Sequence, residues 1–440
     1  MPLKSKVLRF HDLLPLSVSS VAPAFSISAS LGALYSYAGT HLLFVVVTLF
    51  PSFFISSLAL RMLNSISPNA GASYHWGNRF IGPRYGSLQA WIVTLAYFLS
   101  IPPIVLPAAQ YTLQLLHILG LSTGSSGLLL AVTGLAWICI SSAILITGAR
   151  PTALLTLLFL LVEGFIIAYS CLVGLEALGS HASVKVRPEW FIEPTAGIMP
   201  AFLVGATIMD GWEIDSYAAE EAIEPKYHPG KTGILGLVMV TCIYLLLMPL
   251  ILSETPGTLL ASSLDPLYTW ISTVSPGSEF SVVLAVVLST ATSLWLTAFI
   301  LSRAWFSLGR DRIFPKAFEK TNRRGAPIIP VLVMMVPVAA IDFAVSLSPH
   351  VFSYFSVLLG FSGLFLTLEF MFDNATCAWV SARNGRRVMA VATGVNAAFL
   401  CSLCVYYTVY SGLTSLLILA LFIPTAFLIR RGERVPAAAQ

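Results

Sequence analysis

The sequence predicts an all-α integral membrane protein of about twelve spans, on the strength of its composition, its long apolar segments and the placement of its basic residues. Hydrophobic residues make up 57% of the 440 and charged residues 10%, whereas a soluble domain carries about 25% charged residues. The mean hydropathy is +0.85. Long apolar runs indicate helices, because in hydrocarbon every backbone N–H and C=O must find its partner within the protein.

A spanning helix needs about 20 apolar residues, and the chain offers twelve such segments. They are residues 13–37, 42–66, 88–119, 128–147, 152–178, 198–219, 232–252, 280–308, 328–347, 351–379, 388–410 and 413–429. The basic stretch before the first segment is not followed by a clear cleavage site, so we expect a retained helix. We therefore expect a single transmembrane domain over residues 1–440, embedded in the lipid bilayer, with no nucleic-acid partner.

The basic residues predict the orientation. With the N-terminus inside, 22 of the 24 Lys and Arg residues fall in cytoplasmic segments, and only Lys185 and Arg187 lie outside. Cytoplasmic loops of membrane proteins carry such an excess. A missed or invented span would move every later loop to the other side, so the bias also supports the count. We expect a multi-pass protein of the cytoplasmic membrane with both termini in the cytoplasm.

Two of the segments contain residues that interrupt a helix. Residues 17–23 (SVSSVAP) lie in the first segment and residues 205–215 (GATIMDGWEID) in the sixth. Proline removes a backbone donor and glycine loosens the helix, so unwound main-chain groups there can bind a polar ligand. The breaks lie five spans apart, which predicts an inverted five-plus-five repeat (13–178 and 198–379) followed by two additional helices (388–429). The alternative is a pair of kinked helices.

Three further segments carry a resemblance to a known superfamily. Residues 67–76 (SPNAGASYHW) are similar to its Pro-x-x-Gly-x-x-Tyr loop, and residues 211–225 repeat its Gly-aromatic-acid, Glu-Glu and Pro pattern. Residues 302–315 resemble its Ser-Arg and Arg-Asp-Gly-hydrophobic-Pro signature, with Arg312 in place of the glycine. The chain thus resembles the amino acid–polyamine–organocation superfamily, although its first helix breaks at a Ser-rich run rather than at glycines.

This resemblance implies an amino acid permease and not an enzyme. Such a protein moves amino acids or related organic amines, polyamines included, by alternating access, as a symporter or an antiporter. A proton or a sodium ion is the expected coupling ion, and we expect no cofactor and no metal site. The alternatives are a transporter of another metabolite on the same fold, a channel, or a membrane-embedded enzyme, whose usual acid-rich loops or nucleophile-base pairs are missing here.

The two breaks supply the candidate substrate site. Backbone N–H groups that open the second half of the first helix suit a substrate carboxylate, while the acids of the sixth helix suit an amine and favour cationic substrates. Serine hydroxyls also bond to their own helix, and a buried tyrosine also serves core packing, so these alternatives stay open. The candidates are Ser19, Ser20, Val21, Ala22, Tyr97, Asp210, Gly211, Trp212 and Glu213, with Asp215 as a further acid near the break.

Ion coupling has two candidate sites. Glu163 lies in the middle of the fifth span, whose helix has no basic residue except Arg150 at its start, and a buried acid without a partner can load and release a proton. In position it resembles a fifth-helix site where some proton-coupled members carry a lysine. Thr290, Ser293 and Thr297 share one face of the eighth helix and could hold a sodium ion. Static hydrogen bonding and helix packing are the alternatives.

The remaining charged residues have expected places near the membrane surfaces. Glu220 and Glu221 end the sixth helix close to the basic stretch that begins at Arg303, which predicts an inner gate, with Trp212 as a further gating candidate. Simple solvation of these charges is the alternative. Asp342 and Asp373 lie near span ends, where we expect contact with water.

The orientation can be tested by cysteine labelling. We expect an impermeant thiol reagent added outside intact cells to label an Arg187→Cys variant but not an Arg324→Cys variant, since the charge distribution places these positions on opposite sides. The unsubstituted chain, which has six cysteines, gives the background. Labelling of Arg324→Cys from outside would contradict the predicted orientation.

Overall fold

The computed structural model describes residues 2–121, 126–180, 187–191, 198–263, 265–410, 417, 420–422 and 424. Across these residues the regular elements are helical, and the single extended pairing is a parallel bridge between Leu8 and Ala222. The helices are α1 (Phe10–Val21), α2 (Pro23–Phe25), α3 (Leu31–Ala38), α4 (Leu42–Ile66), α5 (Ala72–Phe80), α6 (Pro83–Ser100), α7 (Pro102–Ile118), α8 (Gly127–Ile146), α9 (Ala149–Ser180), α10 (Met199–Met209), α11 (Ile214–Tyr217), α12 (Lys231–Glu254), α13 (Gly257–Ser262), α14 (Pro266–Val274), α15 (Glu279–Arg310), α16 (Ile328–Ser346), α17 (Val351–Arg383) and α18 (Arg387–Tyr410).

Nine helical segments among the described residues are long and apolar enough to cross a membrane. One of them, Phe10–Ile66, contains the first two predicted spans, and the sixth predicted span contains the shorter apolar helix Pro200–Met209. Most of the predicted twelfth span lies outside the described residues, and so does Lys185. The multi-pass helical class is confirmed, while the count of twelve and the inverted repeat stay predictions.

The first helix is interrupted at one residue rather than over the whole Ser-rich run. Residues 17–21 are helical, and Ala22 then adopts a positive φ of 54° before Pro23 opens the next helix. Proline disfavours the α conformation of the residue before it, which explains why the break falls at Ala22. A π-helical turn, Ser26–Ser30, follows and joins α2 to α3.

The sixth predicted span contains a wider break. Helix α10 ends at Met209 and α11 begins at Ile214, so the residues between them are not helical. Gly211 has a φ of 107°, and a Cβ atom there would lie 2.6 Å from the carbonyl carbon of Ser20. Both the backbone conformation and the close approach exclude a side chain at this position. The two broken helices therefore meet at Gly211 and Ser20.

The helices around the breaks form the centre of the bundle. Helix α1 packs against α9, α12 and α15, and α10 packs against α3, α4 and α17. Helix α15 is buried along most of its length, as expected for a central helix. By contrast, large apolar side chains such as Phe165 and Val388 are 76% and 86% exposed, as expected of a surface that faces lipid.

The expectation that Asp342 and Asp373 contact water was wrong. Asp342 is 3% exposed and Asp373 is fully buried. Helix α8 covers Asp342 because Gly134 has no side chain: a Cβ atom there would lie 2.5 Å from the Asp342 carboxylate. Asp373 is covered by α5 and α6, whose Ser73 and Gln89 donate hydrogen bonds to it.

Candidate functional site

A narrow cavity of about 40 Å³ lies where the two broken helices meet. Both breaks, the α6–α7 region, α15 and α17 contribute to its wall. The lining residues include Ser20, Val21, Phe25, Ser26, Ser30, Tyr97, Ser100, Ile104, Thr207, Asp210, Gly211, Ser293, Thr297, Ile300, Leu359 and Ser362. Among the described residues the wall is thus mainly hydroxyl-bearing and apolar, with a single acid, Asp210. Such a mixture suits a small solute with one polar end and one apolar end.

The first-helix candidates divide into two groups. Ser20 and Val21 line the cavity, and the Ser20 hydroxyl is buried without a hydrogen-bond partner among the described residues. Ser19 and Ala22 are buried but do not line the cavity. The backbone N–H groups just beyond the break are already in use, since Ala24 donates to Glu163 at 3.1 Å and Phe25 donates to Ser289 Oγ at 3.2 Å.

The three acids at the break in the sixth predicted span, where α10 ends and α11 begins, have three different surroundings. Asp210 lines the cavity. Glu213 lies behind the cavity wall and accepts hydrogen bonds from the Gly211 N–H at 2.8 Å and the Tyr97 hydroxyl at 2.9 Å. Asp215 caps α12 instead, because its Oδ2 accepts the Gly230 and Gly233 N–H groups, both at 2.6 Å. One of the three acids therefore faces the cavity.

The aromatic candidates also differ in their contacts. Tyr97 lines the cavity and links it to Glu213 and to Glu369, 3.3 Å away. Trp212 is 1% exposed and stacks on Phe370, with 5.4 Å between ring centroids and 10° between planes. It does not line the cavity, and no cation lies over its ring among the described cation–π pairs.

The hydroxyl face predicted on α15 is only partly turned toward the cavity. Ser293 and Thr297 line it. Thr290 bonds to its own helix instead, through the carbonyl groups of Val286 at 2.9 Å and Val287 at 3.0 Å. A serine or threonine hydroxyl often satisfies itself in this way when no ligand is near.

Glu163 lies against the second half of the first helix. Its side chain is fully buried and its Oε1 accepts the Ala24 N–H across the α9 interface. No Lys, Arg or His of the described chain forms an ion pair with it. A charged carboxylate in this position would be costly, because neutral donors compensate little of the lost hydration. The Glu163 carboxyl group therefore lies buried without a compensating positive charge among the described residues.

A second group of buried acids lies on the other side of the cavity. Glu213, Glu369 and Asp373 converge on hydroxyl groups of Ser73 and Tyr97, and all three carboxyls are fully buried. The Ser73 hydroxyl lies 2.9 Å from Glu369 and 2.6 Å from Asp373. We call these three acids the carboxyl cluster.

The hydrogen bonds of the carboxyl cluster require more protons than its hydroxyl groups supply. A hydroxyl has one proton to donate, yet Ser73 contacts Glu369 and Asp373, and Tyr97 contacts Glu213 and Glu369. All four contacts are hydrogen bonds only if some of the carboxyl groups are protonated. No basic side chain of the described chain pairs with these acids. Sequence reasoning missed the cluster, because Glu213 lies far along the chain from Glu369 and Asp373 of α17, and the hydroxyl groups that join them lie on α5 and α6.

Two ion pairs join the end of the sixth predicted span, just after α11, to α15. Arg303 binds Glu221 with two bonds, Nε to Oε2 at 3.0 Å and Nη2 to Oε1 at 3.3 Å, and both side chains are buried. Arg310 binds Glu220 at 2.9 Å, and Glu220 also accepts the Ala70 N–H at 3.0 Å. Burial raises the pKa of Glu221, and the nearby Arg303 guanidinium opposes that shift. This end of the bundle is thus closed by charge pairs.

A wider pocket lies toward the opposite end, beside α3 and α7. Its lining includes Gln110, Gln114, Tyr111 and Asp265. Asp265 accepts hydrogen bonds from the Ser28 hydroxyl in the π-helical turn and from the Tyr268 N–H at 3.0 Å. Burial raises the pKa of Asp265 to about 6, and these hydrogen bonds oppose the shift.

These features define a class of protein. A multi-pass helical membrane protein, with two interrupted helices around a polar cavity that is closed at one end by ion pairs, is built to bind a small solute within the bilayer. The family model described as amino acid permease matches residues 8–436. The chain therefore belongs to the amino acid permease family, within the superfamily that its sequence motifs resemble.

Several relatives carry names that describe amino acid transport. The branched-chain amino acid permease BcaP of Lactococcus lactis is 23% identical over 73% of this chain and 72% of its own length. The Asc-type amino acid transporter 1 of Mus musculus is 24% identical over 69% of this chain, and the human large neutral amino acids transporter small subunit 2 is 25% identical over 63%. The alignments cover 58% and 52% of the lengths of these two mammalian relatives.

The contact between the two breaks can be tested at Gly211. We expect Gly211→Ala to reduce substrate binding at least about tenfold, because the added methyl would strain a residue at φ 107° and push the Ser20 carbonyl aside. Binding to the purified protein is the measurement. Gly164→Ala is the matched control, since a Cβ atom there would meet nothing within 4 Å. Equal binding by the two variants would contradict this view of the cavity.

Proposed function

We propose that this protein carries α-amino acids across the cytoplasmic membrane by alternating access. The observation that carries the proposal is the cavity between the two broken helices, where a lone acid, Asp210, and the unpaired Ser20 hydroxyl face apolar side chains. An α-ammonium group suits Asp210, and the Ser20 hydroxyl, which lines the cavity without a partner among the described residues, can donate a hydrogen bond to the α-carboxylate. The apolar wall then receives the side chain of the substrate.

We propose neutral amino acids with aliphatic side chains as the preferred substrates. One acid in the cavity matches one α-ammonium group, and Ile104, Ile300 and Leu359 offer an apolar surface. The names of the relatives refer to branched-chain and large neutral amino acids. Cationic amino acids and polyamines are the second candidates, because Glu213 lies directly behind the Tyr97 hydroxyl and becomes available if that hydrogen bond opens.

One end of the helix bundle is closed and the other is open, and this difference indicates the conformational state of the transporter. The Arg303–Glu221 and Arg310–Glu220 pairs close the end that the charge distribution predicts to be cytoplasmic. The wider pocket beside α3 and α7 opens toward the predicted outer side. We therefore propose an outward-facing or occluded state, from which release into the cytoplasm requires that these buried ion pairs separate.

We further propose that a proton drives uptake and that Glu163 carries it. A charged Glu163 accepts the Ala24 N–H and so holds the second half of the first helix against α9. Protonation weakens a carboxyl oxygen as an acceptor, which loosens this bond and frees the helix to move. The proton state of Glu163 is thereby coupled to the shape of the cavity. The carboxyl cluster is a second store for protons, connected to the cavity through Tyr97.

Uptake into proteoliposomes tests the proposed function. We expect accumulation of labelled leucine or isoleucine against its gradient when an inward proton gradient is imposed, and little accumulation of lysine or putrescine. Uptake of lysine or putrescine in place of leucine would favour the cationic class. Movement of substrate only down its gradient under every imposed proton or sodium gradient would contradict active transport. If a sodium gradient drives uptake and a proton gradient has no effect, sodium and not the proton is the coupling ion.

The role of Glu163 is tested by a neutral variant. We expect Glu163→Gln to bind leucine within about threefold of the unsubstituted protein but to lose the acceleration by an inward proton gradient, since an amide cannot exchange a proton. The matched control is Glu176→Gln, which removes an exposed acid on the same helix. Glu163→Asp keeps a carboxyl group and should retain part of the pH dependence. A Glu163→Gln variant with unchanged pH dependence would remove this residue from the coupling mechanism and leave the carboxyl cluster as its site.

A further inference from the structure

Two pockets follow one another along the outside of the bundle between α4 and α18, and together we call them the groove. Its first half is a pocket of about 440 Å³, formed by the end of α4, the start of α12 and the α17–α18 connection. Four basic side chains line this half: Arg61, Lys226, Lys231 and Arg386. Tyr227, which is 63% exposed, lies beside them. All of these residues belong to segments that the charge distribution places at the cytoplasmic face.

The four basic side chains are not neutralised within the described part of the chain. None of them forms an ion pair there, and no acid lines this half of the groove. The nearby Glu224 is paired with His228 at 3.5 Å. Four like charges around one pocket repel each other, and an anion that binds between them relieves that repulsion.

The second half of the groove is mainly apolar and lies along the same helix faces as the first. It has a volume of about 460 Å³, and its lining includes Thr48, Pro51 and Ile55 of α4 and Ala392 and Val395 of α18. On α4 the lining positions continue from Ile55 to Leu58 and Arg61 in steps of one helical turn. On α18 they continue in the same way from Ala392 to Met389, and then to Arg386 just before the helix begins.

The apolar half extends through about two thirds of one leaflet of a bilayer. From Thr48 to Ile55 the helix rises about 10.5 Å at about 1.5 Å per residue. The hydrocarbon core of a bilayer is about 30 Å thick, so one leaflet is about 15 Å. The groove thus has a cationic end at the depth of lipid headgroups and an apolar end that enters the hydrocarbon.

Contacts with neighbouring elements fix the walls of the basic half. Gly230, at a positive φ of 81°, packs directly on Arg61: a Cβ atom there would lie 2.5 Å from the Arg61 Cα atom. Asn64 donates a hydrogen bond of 2.7 Å to the Pro225 carbonyl and thereby holds the loop that carries Lys226. The pocket is therefore a built site rather than a chance meeting of long side chains.

We propose that this groove binds one anionic phospholipid of the cytoplasmic leaflet, with its phosphate between the four basic side chains and an acyl chain along the apolar half. Charge complementarity and the continuous apolar half together select a lipid rather than a free phosphate ion. Basic pockets between transmembrane helices at the cytoplasmic side are the usual sites for such headgroups. The site lies outside the transport cavity and does not depend on the identity of the transported substrate.

Lipid retention by the purified full chain tests the headgroup half. We expect the quadruple variant Arg61→Gln, Lys226→Gln, Lys231→Gln, Arg386→Gln to lose phosphatidylglycerol affinity at least about tenfold, measured by native mass spectrometry of lipid titrations, since the phosphate loses its four cationic partners. Phosphatidylcholine retention should be unchanged. The matched control removes two lysines and two arginines elsewhere on the predicted cytoplasmic side, through Lys316→Gln, Lys320→Gln, Arg323→Gln and Arg324→Gln. An equal loss in both quadruple variants would overturn the proposal.

The apolar half is tested by filling the groove. We expect Ala392→Trp, which projects into it, to lower phosphatidylglycerol retention severalfold, while Val391→Trp, on a 65% exposed position outside the lining, should have no effect. Displacement of bound lipid by millimolar inorganic phosphate would show a simple anion site and overturn the lipid assignment. A change from one oligomeric state to another in Ala392→Trp would instead show that a second copy covers the groove. Ala392→Leu is a smaller insertion at the same position for the case in which Ala392→Trp does not fold, and unchanged phosphatidylglycerol retention in it would overturn the proposal.

Discussion

The crossing of the two interrupted helices at Gly211 and Ser20 is the contact on which the rest of the structure depends. Each break leaves backbone groups without helical partners, and in a membrane such groups are tolerated only where they are buried in protein or line a cavity. Ala22 and Gly211 both have positive φ values, and the missing side chain of Gly211 lets the two chains touch. The cavity, its single facing acid and the use of the Ala24 and Phe25 N–H groups all follow from this crossing.

Buried acids without basic partners among the described residues flank the cavity on two sides. Glu163 contacts the second half of the first predicted span, and Glu213 accepts the Gly211 N–H in the break between α10 and α11. A charge at either position would act directly on one of the two interrupted helices. In a medium of low polarity such a charge is costly, whereas a bound proton removes the cost. Both acid sites are therefore placed where a change of protonation would alter the backbone of the cavity.

The basic residues divide into two groups with different physical consequences. Arg303 and Arg310 are paired with acids at the end of the sixth helix, where they join it to α15 and close one end of the bundle. Arg61 and its neighbours around the lipid groove have no described ion-pair partner and so remain available to an external anion. The basic residues that predict the orientation of the chain thus have two uses. Some form ion pairs that join two helices, and others form the proposed binding site for an anionic lipid.

The sequence by itself determined the helical membrane class, the positions of most spans, the two breaks and the family, because these depend on local hydrophobicity, on Pro and Gly, and on short motifs. The tertiary structure decided which side chains meet. Asp210, Glu213 and Asp215 lie within six residues of one another, yet one faces the cavity, one joins the carboxyl cluster and one caps α12. Their directions depend on how the chain unwinds between α10 and α11 and on which neighbours supply donors. Asp373 likewise contacts Ser73 and not water, because α5 packs over the end of α17 and covers a position that hydropathy alone places near the surface.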